Sequence, residues 1–286
     1  MMTTDKKSRS GRWVRRCILI LVVLAVLALF FRQQQNDIQT QTVEIQAQGL
    51  PAAFDGLRIV HLSDLHGKQF GQGNETLLQY VADMKPDLIA VTGDWIDRES
   101  QMENVPALAK GLSEIAPTYY VTGNHEWAVR CVNDLKKMLR ENGVRVLSNE
   151  FEIWEKDGTT VAIAGVDDPN GLLGQKTGDQ LRGEIEADYT VLLSHRDTVE
   201  TYSKWGYDLV LCGHGHGGII RIPLVDKGLL GTSRNLFPQY DGGLVAYEQG
   251  GYCFVSRGLG SNTTPIRAFR LFNRPDLPLL ILRSEG

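Results

Sequence analysis

The sequence predicts an α/β domain of layered sheets and helices, preceded by one N-terminal membrane helix. Three observations carry this expectation. Short apolar, β-branched runs recur along the chain, and most end in a polar or Gly-containing turn, as buried strands do. Helical stretches alternate with several of them, the order that layers helices over sheets. An uncharged run, CILILVVLAVLALFF at 17–31, lies between Arg16 and Arg32. With 286 residues, 42% hydrophobic and 22% charged, the rest of the chain is long and apolar enough to bury a core.

From the N-terminus, residues 1–16 read as a basic segment, 17–31 as a transmembrane signal anchor, 32–41 as a polar linker and 42–286 as the folded domain. As a helix the apolar run spans roughly 22 Å at about 1.5 Å per residue, less than a bilayer core of about 30 Å, so the flanking arginines must snorkel. A basic segment before an apolar run is the layout of an export signal or an uncleaved anchor. Only the weak Val26-Leu27-Ala28 resembles a cleavage site, which favours the anchor. Residues 1–32 carry a net charge of +6, leaving −10 for residues 33–286. The positive-inside rule then keeps the N-terminus cytoplasmic, giving a single-pass protein of the cell membrane with its domain outside the cytoplasm. Arg15-Arg16 before Cys17-Ile18-Leu19 also fits a loose twin-arginine export signal, although ordinary juxtamembrane charge is the favoured account.

In the body, strands are expected at 57–62, 88–92, 118–122, 160–166, 189–193, 209–212, 252–256 and 279–282, with helices at 75–84, 129–142 and 197–205. Residues 225–243, glycine-containing and without a period, read as a long surface loop. The acidic body lacks the clustered cations of a nucleic-acid binder, so no nucleic acid is expected as partner. Four cysteines without a CxxC spacing make neither a disulfide framework nor a zinc ribbon. No G-x-S-x-G, G-x-x-x-x-G-K-[ST] or H-E-x-x-H occurs, so serine hydrolases, P-loop NTPases and zincins lack support.

All six histidines, His61, His66, His125, His195, His214 and His216, fall near the end of an apolar run. Ser63-Asp64-Leu65-His66 follows the first, Gly93-Asp94-Trp95-Ile96-Asp97-Arg98 the second and Gly123-Asn124-His125-Glu126 the third. Ser194-His195 and Gly213-His214-Gly215-His216 follow later ones. Carboxylate, amide and imidazole donors together suit Mn, Fe or Zn, and the lack of paired thiolates argues against a structural zinc site. In Asp64-x-His66 and His214-x-His216 the spacing of two is expected to aim both side chains the same way from extended backbone.

Taken in order, these motifs resemble the calcineurin-like metallophosphoesterases, whose D-x-H, G-D-x-x-D, G-N-H-[DE], H and G-H-x-H are all met. The resemblance covers about residues 40–286. It is nearest to the membrane-associated bacterial branch, through HLSDLH, VSRGLG at 255–260 and RLFNRP at 270–275. Gly215 stands where that branch usually has Thr. The resemblance implies a β-sandwich of mixed sheets flanked by helices and a pair of divalent ions, Mn²⁺ by expectation, with Fe, Zn or Mg as alternatives. Asp64, His66 and His216 would hold the first ion, Asn124, His195 and His214 the second, and Asp94 would bridge them. His125 would serve the leaving group, Asp97 would orient His125, and Arg98 would meet the substrate phosphate. His61 is expected as a packed residue bonded to a backbone carbonyl, Cys212 as packing and Glu126 as a helix-start acid.

The implied activity is phosphoester hydrolysis, with a membrane-anchored phosphodiesterase of lipid or cell-envelope phosphoesters as the first expectation. A UDP-2,3-diacylglucosamine pyrophosphatase is the alternative, and it would need the opposite topology. A nuclease is disfavoured by the acidic body. A non-catalytic envelope-binding module would be expected to have lost at least one metal ligand, and none is missing.

Overall fold

The computed structural model describes residues 5–231, 235–261 and 270–285, with side chains from residue 12 onward. In chain order the elements are α1 (Asp5–Asn36), β1 (Gln39–Ala47), β2 (Leu57–Leu62), α2 (Glu75–Asp83), β3 (Leu88–Thr92), α3 (Val105–Ile115), β4 (Thr118–Val121), α4 (Asn124–Ala128), α5 (Val132–Glu141), β5 (Arg145–Val146), β6 (Glu150–Lys156), β7 (Thr159–Gly165), α6 (Gly178–Arg182), β8 (Tyr189–Leu193), α7 (Val199–Tyr202), β9 (Leu209–Cys212), β10 (Arg221–Ile222), β11 (Lys227–Gly228), β12 (Gly243–Ala246), β13 (Tyr252–Val255) and β14 (Asp276–Ser284). Two mixed six-stranded sheets run β1-β14-β2-β3-β4-β5 and β12-β13-β9-β8-β7-β6, and β10-β11 form a small ribbon.

Strand periodicity sorts the side chains into three layers. Ile59, Ala90, Val121, Ile163, Val191, Leu211 and Phe254 fill the space between the sheets. Their chain neighbours point the other way: Val60, Ile89 and Val91 pack under Leu77, Leu108, Leu112 and Leu135 of α2, α3 and α5. On the second sheet, Ala162, Leu192, Val210 and Cys212 pack with Leu181 and Tyr202 of α6 and α7. The layered α/β expectation is met. The parallel strands β2, β3 and β4 in one sheet and β7, β8 and β9 in the other bring their carboxyl ends to a common rim.

Several local expectations change. The helix expected at 129–142 starts only at Val132, because Val129 caps the short α4 and Arg130, whose φ of 60° no helix interior accepts, separates it from α5. Only residues 199–202 of the 197–205 stretch are helical. Helix α3 was not expected, although Val105, Leu108, Ala109 and Leu112 carry its period and Pro106 sits where a helix start tolerates it. Strand β6, not among the expected strands, pairs with β7 through an Asp157-Gly158 turn with both residues at positive φ, the geometry that Asp-Gly favours in hairpins. The loop expected at 225–243 holds β11 and bonds its Gly228 amide to the buried Asp241 carboxylate.

The largest difference concerns residues 32–41, expected as a linker. Helix α1 continues to Asn36, and β1 begins at Gln39, paired in parallel with β14. Gln35 and the Arg270 backbone exchange hydrogen bonds of 2.7 and 3.0 Å. Lys68 donates to the Gln35 carbonyl, Arg274 to that of Asp37, and Phe30 packs on Phe272 with ring centroids 5.6 Å apart. The Gln35 and Gln41 side chains and the carbonyls of Gln35 and Asp37 thus serve as docking groups, in a stretch that composition alone reads as solvent-loving. Within α1, residues 12–36 are long and apolar enough to cross a bilayer, and the 18-residue apolar window among them has no buried residue.

Phe254, fully buried between the sheets, should be the sharpest probe of the shared core. Phe254→Ala is expected to cost about 3–5 kcal/mol, read as a lowered midpoint in denaturant unfolding of the detergent-solubilised chain.

Candidate metal centre

The strand ends place the motif residues at the rim, and the backbone there is not extended. Asp64, His66, Asp94, His214 and His216 all adopt positive φ, between 48° and 69°. Such non-glycine conformations cost energy and gather at functional sites. The expected same-side projection from extended backbone therefore fails. Asp64 and His66 do share a cluster, but His214 and His216 diverge into different ones. Asp64, His66 and His216 form one group of potential ligand atoms, Asp94, His195 and His214 a second, and His66, Asp97 and His125 a third. Glycines allow the crowding: a Cβ on Gly258 would lie 2.7 Å from that of Asp64, and one on Gly123 would strike the Asp94 carboxylate.

Second partners decide which ring nitrogens face inward. His195 Nδ1 donates to the Thr92 carbonyl at 2.8 Å, leaving Nε2 aimed at Asp94 Oδ2 (3.3 Å), Asn124 Oδ1 (3.1 Å) and His214 Nδ1 (3.1 Å). His66 Nδ1 lies 2.5 Å from Asp97 Oδ1, leaving Nε2 aimed at His216 Nε2 (3.0 Å), Asp94 Oδ2 (3.8 Å) and Asp64 Oδ1 (3.9 Å). Asp94 Oδ2 thus stands between the two groups. Facing imidazole nitrogens beside buried carboxylates are what cations of oxygen–nitrogen preference require, so the residues present fit a pair of divalent ions.

His125 comes from the start of α4, and its amide donates to Asp94 Oδ1 at 2.9 Å. Its Nδ1 lies 2.8 Å from Asp97 Oδ1, its Nε2 3.9 Å from Asp94 Oδ2, and its side chain keeps 23% exposure where those of His66 and His195 keep none. Burial works against the charged ring, but the Asp97 hydrogen bond and the Asp94 charge outweigh it and raise the His125 pKa. Burial opposes ionisation of Asp97 too, and hydrogen bonds from His125 and His66 still hold its pKa well below the carboxylate range. Burial likewise opposes charging of His195, yet Asp94 raises its pKa to about 10.

The remaining expectations divide. Asp97 touches His66 as well as His125, so it is more than the orienter of one ring. Arg98 is exposed one residue beyond Asp97 and takes no part in these bonds. His61 is buried between the sheets and bonds the Thr92 hydroxyl at 2.8 Å, where a backbone carbonyl was expected. Burial lowers its pKa to about 3, in keeping with a packed neutral ring. Cys212 packs in the outer layer, its sulfur 3.6 Å from that of Cys253. Glu126 does sit at a helix start, but its buried carboxylate also accepts from the amides of Asp94, Trp95 and Gly123. It ties the Gly93-Asp94 turn to the Gly123-Asn124 turn.

Three arginines were not singled out in sequence. Arg196 clamps Asp168 at 2.6 and 3.1 Å and lies 3.2 Å from His214 Nε2. Fully buried Arg270 reaches to 3.4 Å from His216 Nδ1, and Arg257 pairs with Asp276 at 3.0 Å. Two of them belong to VSRGLG and RLFNRP, and Asn273 of the latter donates to the carbonyls of His216 and Ile219. These runs, noted only as resemblance, hold the ligand loops from outside.

Oxygen and nitrogen donors in two groups, with the Asp94 carboxylate standing between them, are the equipment of a protein that works with a pair of divalent ions. Residues 57–218 match the calcineurin-like phosphoesterase family, and the chain belongs to it. Metallophosphoesterase YkoQ of Bacillus subtilis is 32% identical over 263 residues, covering 87% of this chain and 94% of that protein. The transmembrane protein with metallophosphoesterase domain of Danio rerio is 26% identical, covering 94% of this chain and 63% of that protein. Phosphodiesterase YaeI of Escherichia coli is 28% identical over 236 residues, covering 79% of this chain and 82% of that protein. The protein is a phosphoester hydrolase of a family that depends on two metal ions.

Two expectations follow from the geometry. An ion taken up at His195 Nε2 would displace the proton that Asp94 holds there, so ion uptake by the stripped protein at pH 7 should release a proton. Calorimetry in buffers of different ionisation enthalpy should show it, with affinity rising about tenfold per pH unit below pH 10 for one such proton. Because Asp97 bonds both rings, Asp97→Asn should weaken metal retention about 10–100-fold as well as slow the reaction, measured by metal analysis after dialysis against a chelator.

Proposed function

We propose that the chain is a membrane-anchored phosphodiesterase that hydrolyses lipid or cell-envelope phosphoesters with its domain outside the cytoplasm. The observation that carries this reading is the position of Asp94 Oδ2 between two inward-turned imidazoles, with a partly exposed His125 beside it. In this reading Asp64, His66 and His216 hold one ion, Asn124, His195 and His214 the other, and Asp94 serves both. The chemistry that two bound ions supply is Lewis-acid activation of the attacking water and of the phosphoryl group, with Mn²⁺ as the proposed metal.

The chain's own residues do the rest. Thr92 and Asp97 fix the tautomers of His195 and His66 through their outer nitrogens. Asp97 holds His125 by Nδ1, which leaves Nε2 at the open side of the site to give its proton to the departing oxygen. Exposed Arg98, at the rim beyond Asp97, is assigned to the substrate phosphate. The anchor is supported by the apolar, unburied residues of α1, the basic residues before it and the transmembrane name of the Danio rerio relative.

Hydrolysis of bis-p-nitrophenyl phosphate, p-nitrophenyl phosphate and UDP-2,3-diacylglucosamine by the full chain in detergent with Mn²⁺ tests the reading. The diester is expected to be cut fastest. Preference for the nucleotide lipid, together with a C-terminal reporter found on the cytoplasmic side, would replace this reading by the pyrophosphatase. His125→Ala should keep both ions while the rate falls by about 10²–10⁴, and less for esters whose leaving group departs without a proton. Loss of an ion from that variant would remove His125 from the role.

A further inference from the structure

The base of α1 lies two contacts from the metal centre. Gln35 is bonded to the Arg270 backbone, and the Arg270 guanidinium reaches towards His216. Gln35 stands three residues beyond Arg32, where the apolar run ends, or about 4.5 Å along the helix axis. The headgroup layer on each side of a bilayer core is about 5–7 Å deep. If α1 spans the membrane, Gln35 therefore lies in the headgroup layer, and the residue it bonds reaches towards the centre.

Beside this base runs a short ribbon of segments bonded in series. Ile220 bridges to Leu271, the Leu229 amide donates to the Ile220 carbonyl, and the Phe237 amide donates to the Leu229 carbonyl. The ribbon starts one residue from Phe272, which packs on Phe30 of α1. It carries Leu224 (105% exposed), Val225, Leu236, Phe237 and Phe272, all exposed large apolar side chains. Outside α1, the other described residues of that kind are Tyr80, Ile153, Leu172, Leu173 and Leu244. Half of these exposed apolar side chains among the described residues thus lie on one ribbon that adjoins the membrane helix, and exposed apolar surface of that kind marks a contact site.

We infer that this ribbon is a second membrane contact. It seats the domain on the bilayer surface from which α1 emerges, so that the centre takes phosphoesters of lipids lying in that same leaflet. The occupant is the lipid interface: the ribbon is continuous with α1, and Phe30 and Phe272 already join the two. The inference rests on the hydrolase and membrane readings above, and it adds how the substrate is presented.

The test uses the full chain in phosphatidylglycerol–phosphatidylcholine vesicles. Nitroxides at Val225→Cys and Phe237→Cys are compared with one at exposed Glu186→Cys, in a Cys17→Ser background. Oxygen should reach the first two in preference to an aqueous nickel chelate, and the chelate should prevail at residue 186. Equal chelate access at all three positions overturns the inference, as does oxygen preference at a nitroxide on Leu173→Cys in their place. In parallel, Val225→Asp with Phe237→Asp should lower Mn²⁺-dependent cleavage of a vesicle-embedded lipid phosphodiester about tenfold or more, with hydrolysis of soluble bis-p-nitrophenyl phosphate unchanged. Equal effects on both substrates also overturn it. Failure of the wild-type chain to cut the soluble diester would instead count against the phosphodiesterase reading, and the nitroxide measurement would stand apart from it.

Discussion

The buried carboxylate of Asp94 is the constraint around which the centre is arranged. It is 1% exposed, an expensive place for a negative charge, and it survives there because the protein surrounds it with donors. Its own backbone is turned to φ 52°, its amide is held by Glu126, and one oxygen accepts the His125 amide. The other oxygen faces His66, His195 and His125. Burial opposes ionisation, yet the charges and hydrogen bonds of these imidazoles hold the Asp94 pKa well below the usual carboxylate range.

Glu126 shows how the same turn solves a second problem. Two Gly-containing loops from adjacent parallel strands, β3 and β4, end in amides that no strand partner can satisfy. One carboxylate accepts from both loops and so sets their spacing. Burial and the nearby Asp94 charge push the Glu126 pKa up to about 7, while the amide bonds pull against that rise. From a single sequence, a Glu at the third position of a short helix reads as an ordinary cap, and nothing local says that it spans two loops.

That contrast explains what was legible. The strands β2, β3, β8 and β9 carried their apolar runs in full, and their ends, together with that of β4, carried the residues that now line the centre. What escaped was information held between distant segments. Strand β1 shows its alternation only at Val43, Ile45 and Ala47, among polar residues that suit an edge. The division of His214 and His216 between clusters comes from left-handed backbone that a two-residue spacing does not announce. The role of Asp97 for His66 depends on two strand ends meeting, and the docking role of Gln35 depends on Arg270, 235 residues away.

The last of these joins the two halves of the molecule. A flexible linker would let the domain sample every orientation above a membrane, and its substrate could then be anything within reach. Here Gln35, Lys68, Phe272 and Arg274 fasten the end of α1 to the same segments that hold His216. Lys68 and Arg274 donate to the last carbonyls of the helix and the turn beyond it, where the helix dipole favours cations. Arg270 uses its backbone for the helix and its guanidinium for the loop around Gly260 and His216. Orientation of the helix and geometry of the centre therefore rest on one group of residues, joined through the fully buried Arg270.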